Sequence, residues 1–224
     1  MIIEYIGHSA FYIRNADFGI LIDPFILHNP VAKFDINNKK ITHILLTHGH
    51  GDHLGDAIPI AKQTGATIIA VFELANYCSS KGAKVIPVGI GGTTILPFGK
   101  VRFLPAFHSS STPDGTYAGM PASILFDFEG IKIYHAGDTS LTNEMKLIGE
   151  LYAPDYAMLP VDGHFTMGMK DAVIAAKFLQ SKIVIPMHYN TFEGQRINID
   201  NLRPMLEAQN QELILMNPGD SFEI

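Results

Sequence analysis

The stretch that decides the fold is Thr47-His48-Gly49-His50-Gly51-Asp52-His53-Leu54-Gly55-Asp56, which follows the apolar run Ile44-Leu45-Leu46. Side chains two apart in an extended chain share a face, so His48 and His50 can hold one ion from the same side while Asp52 and His53 point elsewhere. The alternating glycines permit sharp turns and a close approach of the backbone. Imidazole and carboxylate groups suit zinc and its first-row neighbours. We therefore predict a metal-binding loop at the end of a buried strand.

Three further candidate ligands lie where other apolar strands are predicted to end. Strand ends of this kind are where α/β proteins usually collect their functional groups. The candidates are His108 after the strand 101–107, Asp138 in the turn after the strand 131–135, and His188 after the strand 183–187.

These residues resemble the ligand motifs of the metallo-β-lactamase superfamily in type, order and approximate spacing. The matching segments are His48-x-His50-x-Asp52-His53, His108, Gly137-Asp138-Thr139 and Met187-His188. Within the superfamily, the chain is most similar to small metal-dependent hydrolases of largely unassigned substrate, close to the L-ascorbate-6-phosphate lactonase branch. The segments Tyr5–Phe11 and Phe165–Gly168 carry that closer similarity.

The resemblance implies the fold and the ligand set. The implied fold is α/β, a four-layer αββα sandwich formed by a single metallo-hydrolase domain over residues 1–224. The implied cofactors are two divalent transition-metal ions, zinc in the first place, although these ligand types also permit manganese, iron or nickel. By the resemblance, one ion is held by His48, His50 and His108, a second by Asp52, His53 and His188, and Asp138 bridges them.

Such a centre implies a hydrolase. Paired ions about 3.5–4 Å apart can lower the pKa of a bound water to about 7, so that a metal-bridging hydroxide attacks a small ester-like bond in a lactone or a phosphodiester. Asp52 is a candidate catalytic residue as well as a ligand, because a carboxylate beside that water can accept its proton and return it to the leaving group. A purely ligating Asp52 is the alternative.

Three further residues are candidates for contact with the substrate. His8 follows the first strand and is a candidate for contact with the substrate or for support of a ligand, with a hydrogen-bonded structural histidine as the alternative. His164 follows another strand end and is a candidate catalytic acid, or a merely exposed loop histidine. Tyr189, next to His188, is able to donate to a substrate oxygen, although core packing is the simpler expectation for it. The serine-rich turn 109–112 is a candidate to orient ligands or to contact an anion, although such a turn usually has no role beyond the turn itself.

The composition is that of an ordinary globular enzyme. A chain of 224 residues, of which 47% are hydrophobic, can bury a substantial core. The one cysteine, Cys78, excludes an internal disulfide and fits a reducing cytoplasm, which is the predicted location. The segment Ile2–Ile6 is expected to be a strand rather than a signal peptide, and no apolar run approaches the roughly 20 residues of a membrane span.

The distribution of charged residues indicates which kinds of partner the protein binds. The net charge is −6 and Lys39-Lys40 is the only adjacent basic pair, whereas proteins that grip nucleic acid usually carry a basic stripe. We therefore expect a small-molecule substrate, no nucleic-acid partner and no membrane partner. A homo-oligomer is left open.

Two other functions are compatible with the same scaffold. One is an iron-dependent oxidoreductase, although the chain lacks an appended flavin-binding domain to deliver electrons. The other is a non-catalytic metal-binding module, which would have no need of all seven ligands.

The secondary structure predicted around these motifs alternates strands and helices. In the helix predicted over 170–180, Ala172, Val173, Ala176 and Leu179 form one buried stripe. The other helices are predicted over 56–63, 72–80, 145–151 and 200–209, with mostly strand and turn over 93–128.

Overall fold

The computed structural model describes residues 1–224 and contains fourteen strands and six α-helices. The strands are β1 (Ile2–Gly7), β2 (Ala10–Arg14), β3 (Gly19–Ile22), β4 (His43–Leu45), β5 (Thr67–Val71), β6 (Lys84–Val88), β7 (Thr93–Leu96), β8 (Gly99–Pro105), β9 (Ala122–Phe128), β10 (Ile131–His135), β11 (Tyr156–Pro160), β12 (Ile183–Met187), β13 (Glu212–Leu213) and β14 (Ser221–Glu223). The helices are α1 (Gly51–Leu54), α2 (Ala57–Thr64), α3 (Phe72–Ser80), α4 (Glu144–Tyr152), α5 (Met169–Leu179) and α6 (Leu202–Glu207).

The chain divides into two compact units. The first unit comprises residues 1–92, 109–121 and 216–224, and the second comprises residues 93–108 and 122–215. Helices α1 to α3 belong to the first unit and α4 to α6 to the second. That the whole of 1–224 acts as a single domain stays a prediction.

Each unit is built on one seven-stranded mixed sheet. The order in the first unit is β14-β1-β2-β3-β4-β5-β6, in which the pairs from β3 to β6 are parallel and the others antiparallel. The order in the second unit is β13-β12-β11-β10-β9-β8-β7, in which the pairs from β10 to β13 are parallel and the others antiparallel. The predicted α/β class is therefore confirmed, with two mixed sheets.

Two of the parallel strands are apolar along their whole length. β3 and β11 are buried at every position, as strands are when both faces of a sheet are covered. Because parallel strands deliver their carboxyl ends to one edge of the sheet, the loops that follow β3, β4 and β5 in the first unit emerge side by side.

The helices mostly follow the predicted pattern. α3 has the predicted bounds, and all four residues of the predicted stripe in α5 are buried. α4 and α5 pack closely, because a Cβ on Gly149 would lie only 2.0 Å from the carbonyl oxygen of Phe178. The last helix is shorter than predicted, since a 3₁₀ turn (Ile199–Asn201) precedes α6. No helix is long and apolar enough to cross a membrane.

The strand before His108 begins and ends two residues earlier than predicted, with the same length. β8 ends at Pro105, two residues before the expected Phe107. The reason is that the backbone N–H of Phe107 donates to the side-chain hydroxyl of Thr139 instead of to a neighbouring strand.

Candidate metal centre

The predicted metal-binding loop leaves the first sheet at the end of β4. His48 and His50 lie on the same side of it, with His48 Nε2 and His50 Nδ1 only 3.0 Å apart. Two nitrogen ligands of one tetrahedral zinc ion are separated by about 3.3 Å, given zinc–nitrogen distances of about 2.0–2.1 Å. The two imidazoles are therefore placed as a pair that could share an ion.

The second half of the loop is helical, which was not predicted. Asp52 and His53 lie in the short helix α1, and the His53 ring packs on the His48 ring with the centroids 4.1 Å apart. His48 and His53 are fully buried, whereas the Asp52 side chain is 29% exposed. The turn of helix thus brings His53 back toward the imidazole pair instead of pointing it elsewhere.

His8 reaches the same cluster from the end of β1. It is fully buried, and its Nε2 lies 3.0 Å from Asp52 Oδ2. Ligand atoms of His8, Asp52 and His53 all lie within 4.8 Å of one another. The backbone of His8 has a φ of +60°, a left-handed conformation that is uncommon outside glycine. Its burial favours support of Asp52 over contact with a substrate.

Asp23 holds this cluster together, and it is not among the site residues predicted from the sequence. It follows β3, is fully buried, and accepts hydrogen bonds from the backbone N–H of Thr47 at 2.8 Å and from its hydroxyl at 2.6 Å. Its Oδ2 also lies 2.8 Å from His53 Nδ1. The Thr47 hydroxyl in turn lies 3.0 Å from His48 Nδ1, so one carboxylate orients two imidazoles.

The segment after His108 supports the loop from another side. Ser110 Oγ accepts a hydrogen bond from the N–H of Gly49 at 3.2 Å, and Ser109 Oγ lies 3.5 Å from His50 Nε2. A Cβ on Gly49 would lie only 2.4 Å from Ala118 Cβ, so glycine is required by this packing. The serine-rich turn therefore orients ligand candidates, which is one of the roles expected for it.

The second unit brings together the other three candidates. His188 Nε2 lies 3.1 Å and His108 Nε2 lies 3.6 Å from Asp138 Oδ2. Asp138 and His188 are buried, and His188 has a φ of +57°. Strain of this kind persists only where the surroundings enforce it, and it concentrates at functional sites.

Asp162 performs for His188 the role that Asp23 performs for His53. Its Oδ2 lies 3.1 Å from His188 Nδ1, while its Oδ1 accepts hydrogen bonds from the N–H of His164 and from the hydroxyl of Thr166. Burial alone raises the pKa of Asp162, but the hydrogen bonds from His188 and Thr166 outweigh it and lower the pKa to about 2. Asp162 follows β11 and was also not selected from the sequence.

The two predicted substrate-contacting residues of the second unit lie near this pair. His164 is exposed, its ring lies 4.4 Å from the ring of Phe165, and its backbone is tethered to Asp162. Tyr189 is half-buried, and burial raises its pKa to about 12, so its hydroxyl is a neutral donor at neutral pH. Their roles toward a substrate stay predictions.

The protonation of the two buried imidazoles fits a bound metal. A carboxylate can only accept, so Asp23 and Asp162 fix the proton of His53 and of His188 on Nδ1 and leave the lone pair of the neutral ring on Nε2. Carboxylate–histidine pairs of this kind orient metal ligands in many proteins. In His188 this lone pair faces Asp138 Oδ2 across 3.1 Å, a repulsive pair of acceptors that a cation bound to both atoms would stabilise.

Comparisons with known proteins agree with this chemistry. Residues 2–188 match the family described as "Beta-lactamase superfamily domain". A UPF0173 metal-dependent hydrolase of Bacillus cereus is 51% identical over 197 residues, which cover 86% of this chain and 87% of the relative. One from Staphylothermus marinus is 44% identical over 229 residues, covering 99% of this chain and 98% of the relative.

A solved structure extends the similarity to three dimensions. Igni18, described as a novel metallo hydrolase from the hyperthermophilic archaeon Ignicoccus hospitalis, has a TM-score of 0.91 and 38% identity, covering 100% of this chain and 98% of that one. The expected metallo-β-lactamase fold is thereby confirmed. The closer similarity to the L-ascorbate-6-phosphate lactonase branch is not supported, since the relatives with the stated identities are UPF0173 proteins.

The two carboxylate-oriented imidazoles, the paired histidines of the loop and the extent of these similarities lead to one assignment. The chain belongs to the β-lactamase superfamily and, within it, to the UPF0173 family of metal-dependent hydrolases.

Proposed function

We propose that this metal-dependent hydrolase uses two metal ions to cleave a small ester-like bond, with lactones and phosphodiesters as the main candidates. The observation that carries the proposal is the pair of buried aspartates, Asp23 and Asp162, each of which orients one imidazole so that Nε2 is the ligating atom. A protein with no need of a metal would have no reason to bury two such pairs.

The ligand assignment follows the family resemblance. His48, His50 and His108 would hold one ion, Asp52, His53 and His188 the other, and Asp138 would bridge them. Zinc fits these nitrogen and oxygen donors, and manganese, iron or nickel are alternatives. When bound, such ions supply Lewis acidity toward the attacked carbonyl or phosphoryl oxygen and lower the pKa of water to about 7.

Asp52 is suited to carry the proton. It is the exposed member of its cluster, and His8 fixes its Oδ2 at 3.0 Å. Held in this way, the carboxylate can accept a proton from the attacking water and return it to the departing oxygen. His8 is thus a positioning residue, which is itself fully buried.

His164 and Tyr189 would act on the substrate. His164 is exposed, but the hydrogen bonds from its own N–H and from Thr166 to Asp162 fix the backbone that carries it. It can protonate a leaving oxygen. Tyr189 is a neutral hydroxyl at neutral pH, and burial raises its pKa further, to about 12, so it can donate to an oxygen of the substrate.

The substrate is a small molecule rather than a nucleic acid in this proposal. The net charge of −6 and the scattered basic residues give little basis for neutralising a phosphate backbone. A submicromolar dissociation constant for duplex DNA with a steep salt dependence would contradict this part of the proposal.

The test is a substrate panel with a variant of the proposed bridge. Wild-type protein, stripped of metal and reloaded with zinc or manganese, is assayed on lactones, thioesters, phosphomonoesters and phosphodiesters. We expect metal-dependent turnover of one class. Asp138→Asn should retain the fold, weaken at least one metal site and lower turnover by orders of magnitude, whereas His164→Ala should lower turnover with metal content unchanged.

Two outcomes would overturn the proposal. Asp138→Asn with both ions and near-normal activity would make Asp138 a structural turn residue. Metal-dependent oxygen consumption with no hydrolysis of any panel member would indicate an oxidoreductase instead.

A further inference from the structure

An apolar groove lies in the first unit at the carboxyl ends of β5 and β6. Its volume is about 370 Å³, within the range of small-molecule sites, and its lining includes Phe72, Glu73, Val88, Ile90, Tyr117 and Met120. Phe72 is 58%, Tyr117 65% and Met120 54% exposed. Three large apolar side chains exposed around one concavity are more than the isolated exposure that is normal on a protein surface.

The groove adjoins the loop that carries His48 and His50. Ala118 packs against the backbone of Gly49, which lies between those two histidines. The next residue, Gly119, lies under Glu73, because a Cβ on Gly119 would be 2.6 Å from Glu73 Oε2 and 3.1 Å from Val71 Cγ2. Two consecutive residues therefore contact the ligand-bearing loop and the wall of the groove.

The two walls of the groove are tied together. Tyr77 of α3 donates a hydrogen bond to Asp114 Oδ2 at 2.9 Å, and the Thr112 hydroxyl donates to Asp114 Oδ1 at 2.6 Å. Hydrogen bonds from Thr112 and then Thr116 hold the pKa of Asp114 well below its usual range, so the acceptor is ionised at neutral pH. The segment with Tyr117 and Met120 is thus tied to α3, and a groove with connected walls binds at a lower ordering cost than a loose one.

The side chains that line the groove favour a positively charged ligand. Phe72 and Tyr117 offer aromatic rings, Met120 a polarisable sulfur, and Glu73 is the charged side chain among the lining residues. Aromatic faces attract cations, and a carboxylate attracts them further while repelling anions.

We propose that this groove is a substrate subsite for an apolar ammonium group, such as an arylalkylammonium, on the molecule that is hydrolysed at the adjoining metal loop. The inference rests on the proposed hydrolase function, to which it adds the charge and apolar character of one end of the substrate.

The test measures binding rather than turnover. Metal-loaded protein labelled with ¹³C-methyl methionine is titrated with phenethylammonium, phenethyl alcohol or phenylpropionate, and the Met120 signal is assigned with Met120→Leu. We expect a saturable shift of the Met120 signal that is strongest for the ammonium, weaker for the alcohol and weakest for the carboxylate.

Variants identify the residues responsible. Phe72→Ala should lower the affinity for all three probes at least fivefold, and Glu73→Gln should lower it for the ammonium but not for the alcohol. The matched control is Leu151→Ala on α4. Leu151 is 61% exposed, close to the 58% of Phe72, but it lies in the second unit. This control should leave the titrations unchanged.

The inference and the proposed function fail in different ways. No saturable Met120 shift, or equal affinity for ammonium and carboxylate probes, would overturn the subsite whatever the activity. Groove binding as expected, with metal-dependent hydrolysis of panel members but not of their amine-bearing analogues, would overturn the substrate subsite and keep the hydrolase function. No metal-dependent hydrolysis of any panel member, with or without an ammonium group, would overturn the proposed function and leave only a cation site beside the metal loop.

Discussion

In the first unit, four candidate ligands lie on one loop and its short helix, whereas in the second unit three candidates come from the ends of three separate strands. The loop cluster depends on what holds the loop, chiefly Asp23, Ser110 and Ala118. The strand-end cluster takes most of its geometry from the register of the strands from β8 to β12, three of which precede a ligand candidate. One lost support should therefore disturb every ligand of the loop cluster but only one ligand of the strand-end cluster.

The largest effect is expected for Asp23→Ala. The change leaves the N–H and hydroxyl of Thr47 and the Nδ1–H of His53 buried without their acceptor. Leaving a buried polar group without its hydrogen-bond partner costs about 1–3 kcal/mol for each group. Because the loop carries ligands assigned to both ions, we expect both metals to be lost, as measured by metal analysis, and a correspondingly lower free energy of unfolding in urea.

Asp23→Asn is the matched control for that variant. It keeps the shape and one acceptor oxygen, so we expect a smaller loss of stability. If Asp23→Ala lost less than about 1 kcal/mol of stability and kept both metals, the loop would not depend on Asp23 and the contrast between the clusters would be wrong.

Asp162→Ala should weaken the binding of one metal ion, whereas Asp23→Ala should cause the loss of both. It releases the Nδ1 of His188 alone among the ligand candidates. Loss of such an outer partner typically costs about 10–100-fold in metal affinity. We expect this loss at one ion only, measured by competition with a chelator, while the other ion is retained.

Thr166→Val separates the two contacts of Asp162. It removes the hydroxyl that donates to Asp162 Oδ1 but leaves the contact with His188. Metal affinity near the wild-type value is expected. Equal loss of both ions in Asp162→Ala would show that the strand-end cluster is as interdependent as the loop cluster.

The loop cluster could be predicted from the sequence more fully than the strand-end cluster, because its ligand candidates are neighbours in the chain. The loop motif is local, so its ligand candidates and its position after a buried strand could be predicted from adjacent residues. The helical turn α1 could not, because four residues that begin with a glycine have little helical propensity of their own and the turn depends on tertiary contacts.

Asp23 and Asp162 show what the sequence analysis missed. Both follow parallel strands, as do Asp138 and His188, so the strand-end rule that selected those ligands also applies to these aspartates. What the sequence cannot reveal is which strand end lies beside which imidazole, since the partners are 30 and 26 residues apart. The two sheets could be predicted as a class, but their strand order came only from the structure.

Two glycines of the loop, Gly49 and Gly51, differ in how closely their surroundings pack. A Cβ on Gly49 would lie 2.4 Å from Ala118 Cβ, whereas a Cβ on Gly51 meets only Pro113 Cγ at 3.5 Å. We expect Gly49→Ala to cost about 1–3 kcal/mol through overpacking and to weaken metal binding. Gly51→Ala should stay within about 0.5 kcal/mol of the wild type in a thermal or urea unfolding experiment. Similar losses in both variants would indicate that loop flexibility, not the contact with Ala118, requires the glycines.

The smallest effect is expected at Cys78, which belongs to neither cluster. It is buried in α3, as expected of a packed thiol, and burial raises its pKa to about 12. The reactive thiolate is therefore scarce at any pH below about 12. We expect no labelling by a thiol reagent at pH 8 in the native protein and full labelling after unfolding. Rapid native labelling would mean that the first unit opens readily around α3.

The most direct test of the account is the number of transition-metal ions per chain, measured by elemental analysis in the wild type, His48→Ala and His188→Ala. We expect about two ions per chain in the wild type and about one in each variant. His48→Ala should lose mainly the ion assigned to His48, His50 and His108. The strand-end variant should lose mainly the other ion. One ion per chain in the wild type, or two ions retained in both variants, would contradict the two-metal assignment.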